Sequence, residues 1–310
     1  MERLWKSGET WQRAPSRRTS NEAGSTRFLR RIGDFGLNYR HAFHAGNFAD
    51  LVKHAALLDL LAKMQAQAGA LSVIDTHAGR GLYDLSGDEA QRSGEAEAGI
   101  GQLMKADDLP DAFQPLRRAV SKLNNGGATT LYPGSPLLVA AALRQGDTYL
   151  GCELRPEEHD VLKATLRGMP GAKTVCADGF NEAVARTPIS GSVLVLIDPP
   201  FEKSDDYRRI VTTINGVAAR NPKAVVLVWL PLKDLETFDA FVRDAEDAYA
   251  GSLLVAEARM RPLSDPMKMN GCALVVANAP AGFADPLTAI CDWTVSRLGD
   301  NGKARVWTAA

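Results

Sequence analysis

The sequence predicts an α/β fold in which a mostly parallel sheet is wrapped by helices, and three observations carry that prediction. From Leu71 onward, short β-branched runs alternate with helical stretches. The run Ser192-Val-Leu-Val-Leu-Ile-Asp198 is apolar throughout rather than alternating, the mark of a central strand covered on both faces. Acidic residues close three successive strand candidates: Asp75, Glu153 and Asp178. The 310 residues are 45% hydrophobic and 24% charged with a formal net charge of -1, which excludes collagen, coiled coil and wholesale disorder.

In chain order, residues 1 to 37 hold eight Lys/Arg against four acids, a balance of +4, leaving -5 on the remainder. Rich in Ser, Thr, Gly and Arg and without apolar periodicity, this segment reads as a disordered basic extension. No export signal or bilayer-length apolar stretch is present, so a cytoplasmic location is expected. Residues 41 to 64 read as a helix with Phe48, Leu51, Val52, Ala55, Leu58 and Leu61 on one face and a polar stripe of Asn47, Asp50 and His54, suited to lining a cleft. Seven strands are expected at Leu71–Asp75, Thr148–Leu154, Lys173–Asp178, Ser192–Asp198, Ala224–Leu232, Leu253–Met260 and Cys272–Ala277, a Rossmann-like number. Residues 85 to 131 are too long for one crossover helix and are punctuated by Asp107-Asp-Leu-Pro110 and Asn124-Asn-Gly-Gly127, so they read as a small helical insertion. Residues 261 to 270 leave room only for a loop, so the last two strands should pair antiparallel at the sheet edge. The four cysteines, three of them in strand-like runs, read as reduced core thiols; neither a disulfide framework nor a metal site is supported.

The chemistry gathers at strand ends. Asp75-Thr-His-Ala-Gly-Arg-Gly81 is a turn that lets backbone approach a ligand at the start of a helix, and its glycine spacing does not match a nicotinamide dinucleotide site. Glu153 is placed to take ribose hydroxyls, and Asp178 makes a third acid of the series. Each alone is equally a helix cap; the three together describe a nucleoside pocket. The strongest signal is Ile197-Asp-Pro-Pro-Phe201, where two prolines after an acid make a rigid turn presenting a carboxylate and an aromatic ring. A base amino group needs acceptors for both N–H groups, here the Asp198 carboxylate and the Pro199 carbonyl, and Phe201 supplies a stacking face.

These parts resemble a class I S-adenosylmethionine-dependent methyltransferase of the amino-group type, whose [DNS]-P-P-[FYW] signature reads Asp198-Pro199-Pro200-Phe201 here. With Asn38-Tyr-Arg-His-Ala-Phe-His-Ala-Gly-Asn-Phe-Ala-Asp-Leu-Val-Lys-His54, Asp75-Thr-His-Ala-Gly79, Tyr132-Pro-Gly-Ser-Pro136, Glu153 and Asp178-Gly179 in that order, the chain from about Asn38 onward is similar to the RlmJ family of 23S ribosomal RNA adenine-N6-methyltransferases. The resemblance implies a methyltransferase domain over residues 38 to 310 with a helical insertion near 85 to 131, and S-adenosylmethionine contacts at His54, His77, Ser135, Glu153, Asp178, Gly179 and Asp198. It further implies Asp198 as the catalytic acceptor, with Tyr39, His41, Lys53, Pro199 and Phe201 on the substrate side. The substrate would be 23S ribosomal RNA free of ribosomal proteins, methylated by a monomer at the family site, adenine 2030. Family chains begin near the Tyr-Arg-His motif, so residues 1 to 37 depart from the pattern, as a basic arm or as a start assigned upstream of Leu37.

Bland readings stand beside these roles: His54 and His77 as satisfied polar groups, Ser135 as a helix cap, Lys53 as a solvated lysine, Tyr39 and His41 as terminal anchors. A body of charge -5 attracts phosphates only locally, and Arg40, Lys53, Arg155, Arg208, Arg209, Lys233, Arg259, Arg261 and Lys268 could form a basic rim. Two further functions fit the motif: methylation of DNA adenine or a protein glutamine, and a non-catalytic cofactor- and RNA-binding assembly factor. The intact Asp198 and Phe201 argue against the last.

Overall fold

In the computed structural model the described residues are 44–67, 69–263 and 268–309. Tyr39 and His41, and the basic extension, lie outside them. The described residues belong to one compact unit.

The unit opens with α1 (Phe48–Gln65), which Asn47 caps by accepting from the backbone N–H groups of Ala49 and Asp50 at 2.9 and 3.1 Å. Next comes β1 (Leu71–Asp75), then the insertion: β2 (Leu82–Asp84), α2 (Asp88–Ser93), a π-turn at Glu97–Gly101, α3 (Gln102–Lys105), a 3-10 turn at Asp111–Phe113, α4 (Gln114–Leu123) and β3 (Leu131–Pro133). The alternation then runs α5 (Ser135–Ala142), β4 (Thr148–Cys152), α6 (Pro156–Thr165), β5 (Ala172–Val175), α7 (Gly179–Arg186), β6 (Ser192–Ile197), α8 (Asp206–Arg220), β7 (Val225–Leu232) and α9 (Leu235–Ala248). The chain closes with β8 (Leu253–Arg259), β9 (Gly271–Ala277), α10 (Ala284–Leu298) and β10 (Lys303–Ala309).

The main sheet has eight strands in the order β10-β8-β9-β7-β6-β1-β4-β5, and β2 pairs with β3 in a separate ribbon. From β7 to β5 every pairing is parallel, whereas β9 is antiparallel to both β7 and β8, and β10 to β8. The last two expected strands, β8 and β9, pair antiparallel as expected, and the count rises from seven to eight because β10 adds a further antiparallel strand at the edge. That strand was invisible as an apolar run because Lys303 and Arg305 occupy its open face, as edge strands require. The chain order reverses at β1, which leads to β4 on one side and lies beside β6 on the other, so a crevice opens at the carboxyl ends of β1 and β6.

Helices cover both faces. One core joins α1, the insertion, α5 and α10 to the sheet, and the other lies under α7, α8 and α9. The polar stripe of α1 does not line an open cleft: Asn47, Asp50 and His54 are all buried, because the insertion packs over that face of the helix. Cys152, Cys272 and Cys291 are buried thiols as expected, but Cys176 is exposed, since β5 ends at Val175 and the following turn faces solvent. Among the described residues no helix is long and apolar enough to cross a membrane.

Candidate active site at the carboxyl ends of the parallel strands

Parallel register brings the motif residues to one level. Asp75 pairs with Gly151 of β4 and Leu196 of β6, so Glu153 and Asp198 each stand two residues beyond it on neighbouring strands. The loop leaving β1 is stitched to both neighbours: Thr76 N donates to the Leu196 carbonyl at 3.0 Å and Ala78 N to the Cys152 carbonyl at 2.9 Å. Glu153 completes the loop by accepting from the backbone N–H groups of Gly79 at 3.0 Å and Arg155 at 2.9 Å.

Two glycines make this cradle possible. Gly79 has a φ of +61°, and a side chain there would also strike the Tyr83 hydroxyl. A Cβ on Gly179 would lie 1.8 Å from the Thr76 carbonyl oxygen, so the start of α7 touches the β1 loop backbone to backbone.

Asp75 is fully buried at the floor. Its Oδ2 accepts from Ser135 Oγ at 2.7 Å and Tyr149 Oη at 3.1 Å, whereas Oδ1 is buried with no hydrogen-bond partner among the described residues. Burial pushes its carboxyl up to about 6; the hydrogen bonds from Ser135 and Tyr149 oppose that shift without cancelling it. An under-satisfied buried acceptor beside a glycine cradle favours a ligand that brings a cationic or N–H group. At the far wall, Asp178 caps α7 through Phe180 N at 3.1 Å and pairs with Arg209 Nη2 at 2.5 Å, while the Arg209 guanidinium lies 4.3 Å from the Phe180 ring centroid. The His77 ring meets the same Phe180 edge-on at 4.8 Å, and burial lowers its pKa to about 3, so the imidazole is neutral.

The other half of the crevice is ionic and aromatic. Lys53, buried on α1, reaches Asp198 Oδ2 at 2.5 Å and Asp50 Oδ1 at 3.0 Å, and Asp50 Oδ2 accepts from Gly46 N at 2.9 Å. Burial works against the ammonium, but the two carboxylates outweigh it and hold Lys53 well above the ordinary lysine range. The remaining Asp198 oxygen has no partner among the described residues, and the side chain is 17% exposed. After the buried Pro199, Phe201 adopts a φ of +52°, a strained conformation for a bulky residue. Its ring lies 5.1 Å from that of Tyr207 and 5.9 Å from that of Trp229. Trp229 follows Val228, the register partner of Ile197, and therefore stands beside Asp198 on the next strand.

The matching family model, described as "Ribosomal RNA large subunit methyltransferase D, RlmJ", covers residues 68–309. "Ribosomal RNA large subunit methyltransferase J" of Escherichia coli K12 is 32% identical over 263 residues, spanning 84% of this chain and 94% of that protein. The protein of the same name from Haemophilus influenzae is also 32% identical, over 88% of this chain and 97% of its own length. A crystal structure of a Legionella pneumophila protein superposes with a TM-score of 0.79 at 26% identity, covering 86% of this chain and 99% of that one. The chain belongs to the RlmJ family.

It is therefore a class I methyltransferase, with S-adenosylmethionine as cofactor. The cradle fits that group: a cationic ligand would meet the Asp75 oxygen that has no hydrogen-bond partner among the described residues, beside a loop held in place by the close backbone approach at Gly179. Among the residues singled out from sequence, the structure gathers Lys53 with Asp198, Ser135 with Asp75, and His77 with the Asp178–Gly179 turn. His54 stands apart from them: it is 1% exposed, and its Nδ1 lies 2.8 Å from Tyr132 Oη in the core. Sequence reasoning placed Asp50 in a polar stripe but missed its pairing with Lys53, and it missed Arg209's pairing, Tyr149 and Trp229. Asp50 had a signal, since it precedes Lys53 by one helical turn; the others join through strand register and helix packing alone.

The basic rim is smaller in this RlmJ-family chain than the sequence suggested. Lys53 is consumed by two carboxylates, Arg209 by Asp178 and Arg259 by the buried Glu257.

Proposed function

We propose that this protein methylates N6 of an adenine in 23S ribosomal RNA, at the family site adenine 2030, acting as a monomer on RNA free of ribosomal proteins. The observation that carries this reading is the Asp198-Pro-Pro-Phe201 turn, with one carboxylate oxygen anchored by Lys53 and the other open toward the crevice beside two aromatic rings.

Glu153 and Asp178 serve the nucleoside part of the cofactor, Ser135 and Asp75 its amino-acid part, and Gly179 the backbone floor; His77 packs the wall as a neutral ring, and His54, bonded to Tyr132 in the core, is assigned to the cofactor side by family resemblance. When bound, S-adenosylmethionine supplies an electrophilic methyl group whose departure discharges a sulfonium. The open oxygen of Asp198 and the Pro199 carbonyl accept the two N–H groups of the flipped adenine, which Phe201 stacks. Asp198 then stabilises the positive charge that develops on N6 and receives its proton before release to water. Lys53 fixes the carboxylate rotamer so that this oxygen faces the substrate. Tyr39 and His41 are assigned to the substrate side by family resemblance.

The test is methyl transfer from labelled S-adenosylmethionine to protein-free 23S RNA lacking native modifications, followed by nucleoside mass analysis. N6-methyladenosine at one position is expected. Asp198→Ala should lower turnover by about 1000-fold, the scale of losing a stabiliser of transition-state charge, with cofactor affinity within about threefold. Wild-type rates in that variant, or label on DNA or protein glutamine instead of RNA, would overturn the reading.

A further inference from the structure

We infer that Lys203, two residues beyond Phe201, binds a phosphate of the RNA backbone next to the flipped adenine. The inference rests on the RNA-substrate reading above. It starts from a charge deficit. The chain outside the leader carries -5, and cations around the crevice are spent on carboxylates: Lys53 on Asp198 and Asp50, Arg209 on Asp178, and Arg208 on Asp205 at 3.7 Å. Lys203, which the rim expected from sequence did not include, is exposed and forms no ion pair among the described residues, its acidic neighbours Glu202 and Asp205 included.

The loop that carries it is closed at both ends. Phe201 and Tyr207 bring their ring centroids to 5.1 Å, and Tyr207 is backed in turn by Phe241 at 5.9 Å. Between them Asp206, a buried carboxylate, accepts from Lys203 N through Oδ2 at 3.1 Å, while its own N donates to the Lys203 carbonyl at 3.2 Å. Both backbone groups of Lys203 are therefore fixed, and its side chain leaves the loop from a set point without being tied down itself. Burying an acid to hold the backbone of an exposed lysine costs desolvation that an ordinary surface turn does not incur.

The charge of Lys203 bears on the crevice. His77, on the cofactor wall, is kept neutral chiefly by burial, and the positive charges of Arg209 and Lys203 add to that against the opposing Asp178. When a base turns out of its stack, the base enters the pocket and its ribose and phosphates stay at the rim. With the adenine against Phe201, those phosphates pass the loop at Lys203, and a lysine serves phosphate as a compact charge on a flexible stem. The cofactor's carboxylate is the other anion at hand. Its amino-acid part is assigned to the floor, where Asp75 and Ser135 are buried, whereas Lys203 stands at the surface.

The experiment measures affinity across a salt series, and KM and kcat for methyl transfer, on a protein-free, unmodified 23S RNA fragment, using the full chain as wild type, Lys203→Gln, Lys203→Arg and Lys223→Gln. Lys203→Gln should raise the KM for RNA about fivefold at about 100 mM salt and lower the salt slope by about 0.7, the loss of one phosphate contact on a single strand. Turnover should stay within about twofold, as for a contact made equally in the bound and transition states. Cofactor affinity and melting temperature should match wild type. Lys203→Arg should keep the wild-type slope. Lys223→Gln, which removes an exposed cation from the turn before β7 at the opposite end of the sheet, should leave it unchanged. A wild-type slope in Lys203→Gln, or an equal loss in Lys223→Gln, overturns the assignment while leaving methyl transfer intact. A fall in cofactor affinity that matches the rise in KM also overturns it, by giving Lys203 to the cofactor's carboxylate. Absence of RNA binding and methylation by the wild-type chain overturns the underlying reading and this inference together.

Discussion

On the proposed assignment of a cofactor side and a substrate side, the two halves of the crevice hold their groups by different physics. On the cofactor side, geometry is set by backbone: Glu153 ties down two N–H groups, Gly79 and Gly179 allow contact at backbone distance, and Asp75 is braced by two hydroxyls. On the substrate side it is set by charge and strain: a lysine between two carboxylates, and an aromatic residue at φ +52°. A cofactor of constant shape suits a site pre-formed by hydrogen bonds that cannot be rearranged cheaply. In the proposed reaction, a base that must leave its stack suits a site whose acceptor is aimed by an ion pair and whose stacking ring is held in a stressed turn.

The contrast can be broken first from the cofactor side. Gly179→Ala places a Cβ where the Thr76 carbonyl stands, so the β1 loop and α7 must part; a stability loss of about 3 kcal/mol is expected, with cofactor affinity falling alongside it in urea melts and calorimetric titrations. An unchanged melt would show that the cradle is more compliant than backbone contact implies.

Asp50→Asn sharpens the substrate side. It removes one of the two charges facing the buried Lys53 yet keeps an acceptor for Gly46 N, so about 2 kcal/mol of stability should be lost, the scale of one hydrogen bond to a charged group. The single-turnover rate should fall about tenfold with cofactor affinity unchanged, because a looser Lys53 aims Asp198 less well. Equal losses in rate and cofactor affinity would mean that Asp50 merely supports the fold.

The smallest effect is on pH. His77 is held near 3, well below its unfolded value of 6.5, so the unfolded chain binds the extra proton and stability falls as pH drops from about 6.5 toward 3. Asp75 acts in the opposite sense: raised from 3.8 to about 6, it removes stability as pH rises through that window. The two slopes partly cancel between about pH 4 and 6. Melts of His77→Asn across that range should show less acid destabilisation than wild type, and an unaltered profile would remove His77 as the source.

Much of the fold was legible because period and burial write themselves into composition. The run at Ser192 to Ile197 had to be a central strand, and the proline pair after Asp198 had to end it. The β10 edge and the β2–β3 ribbon escaped, because short or half-exposed strands have no apolar run to betray them. Turn chemistry placed Asp198, Phe201, Glu153 and Asp178 at strand ends, and family resemblance alone singled out Ser135. By itself the sequence determined which residues end the strands, since strand ends are marked by local backbone preference. Only the tertiary structure decided their partners: that Lys53 is a buried clamp instead of a surface charge, and that Arg209 faces Asp178 instead of phosphate. Those pairings join residues far apart in the chain, and charge neutralisation depends on distance through space, which no local pattern encodes.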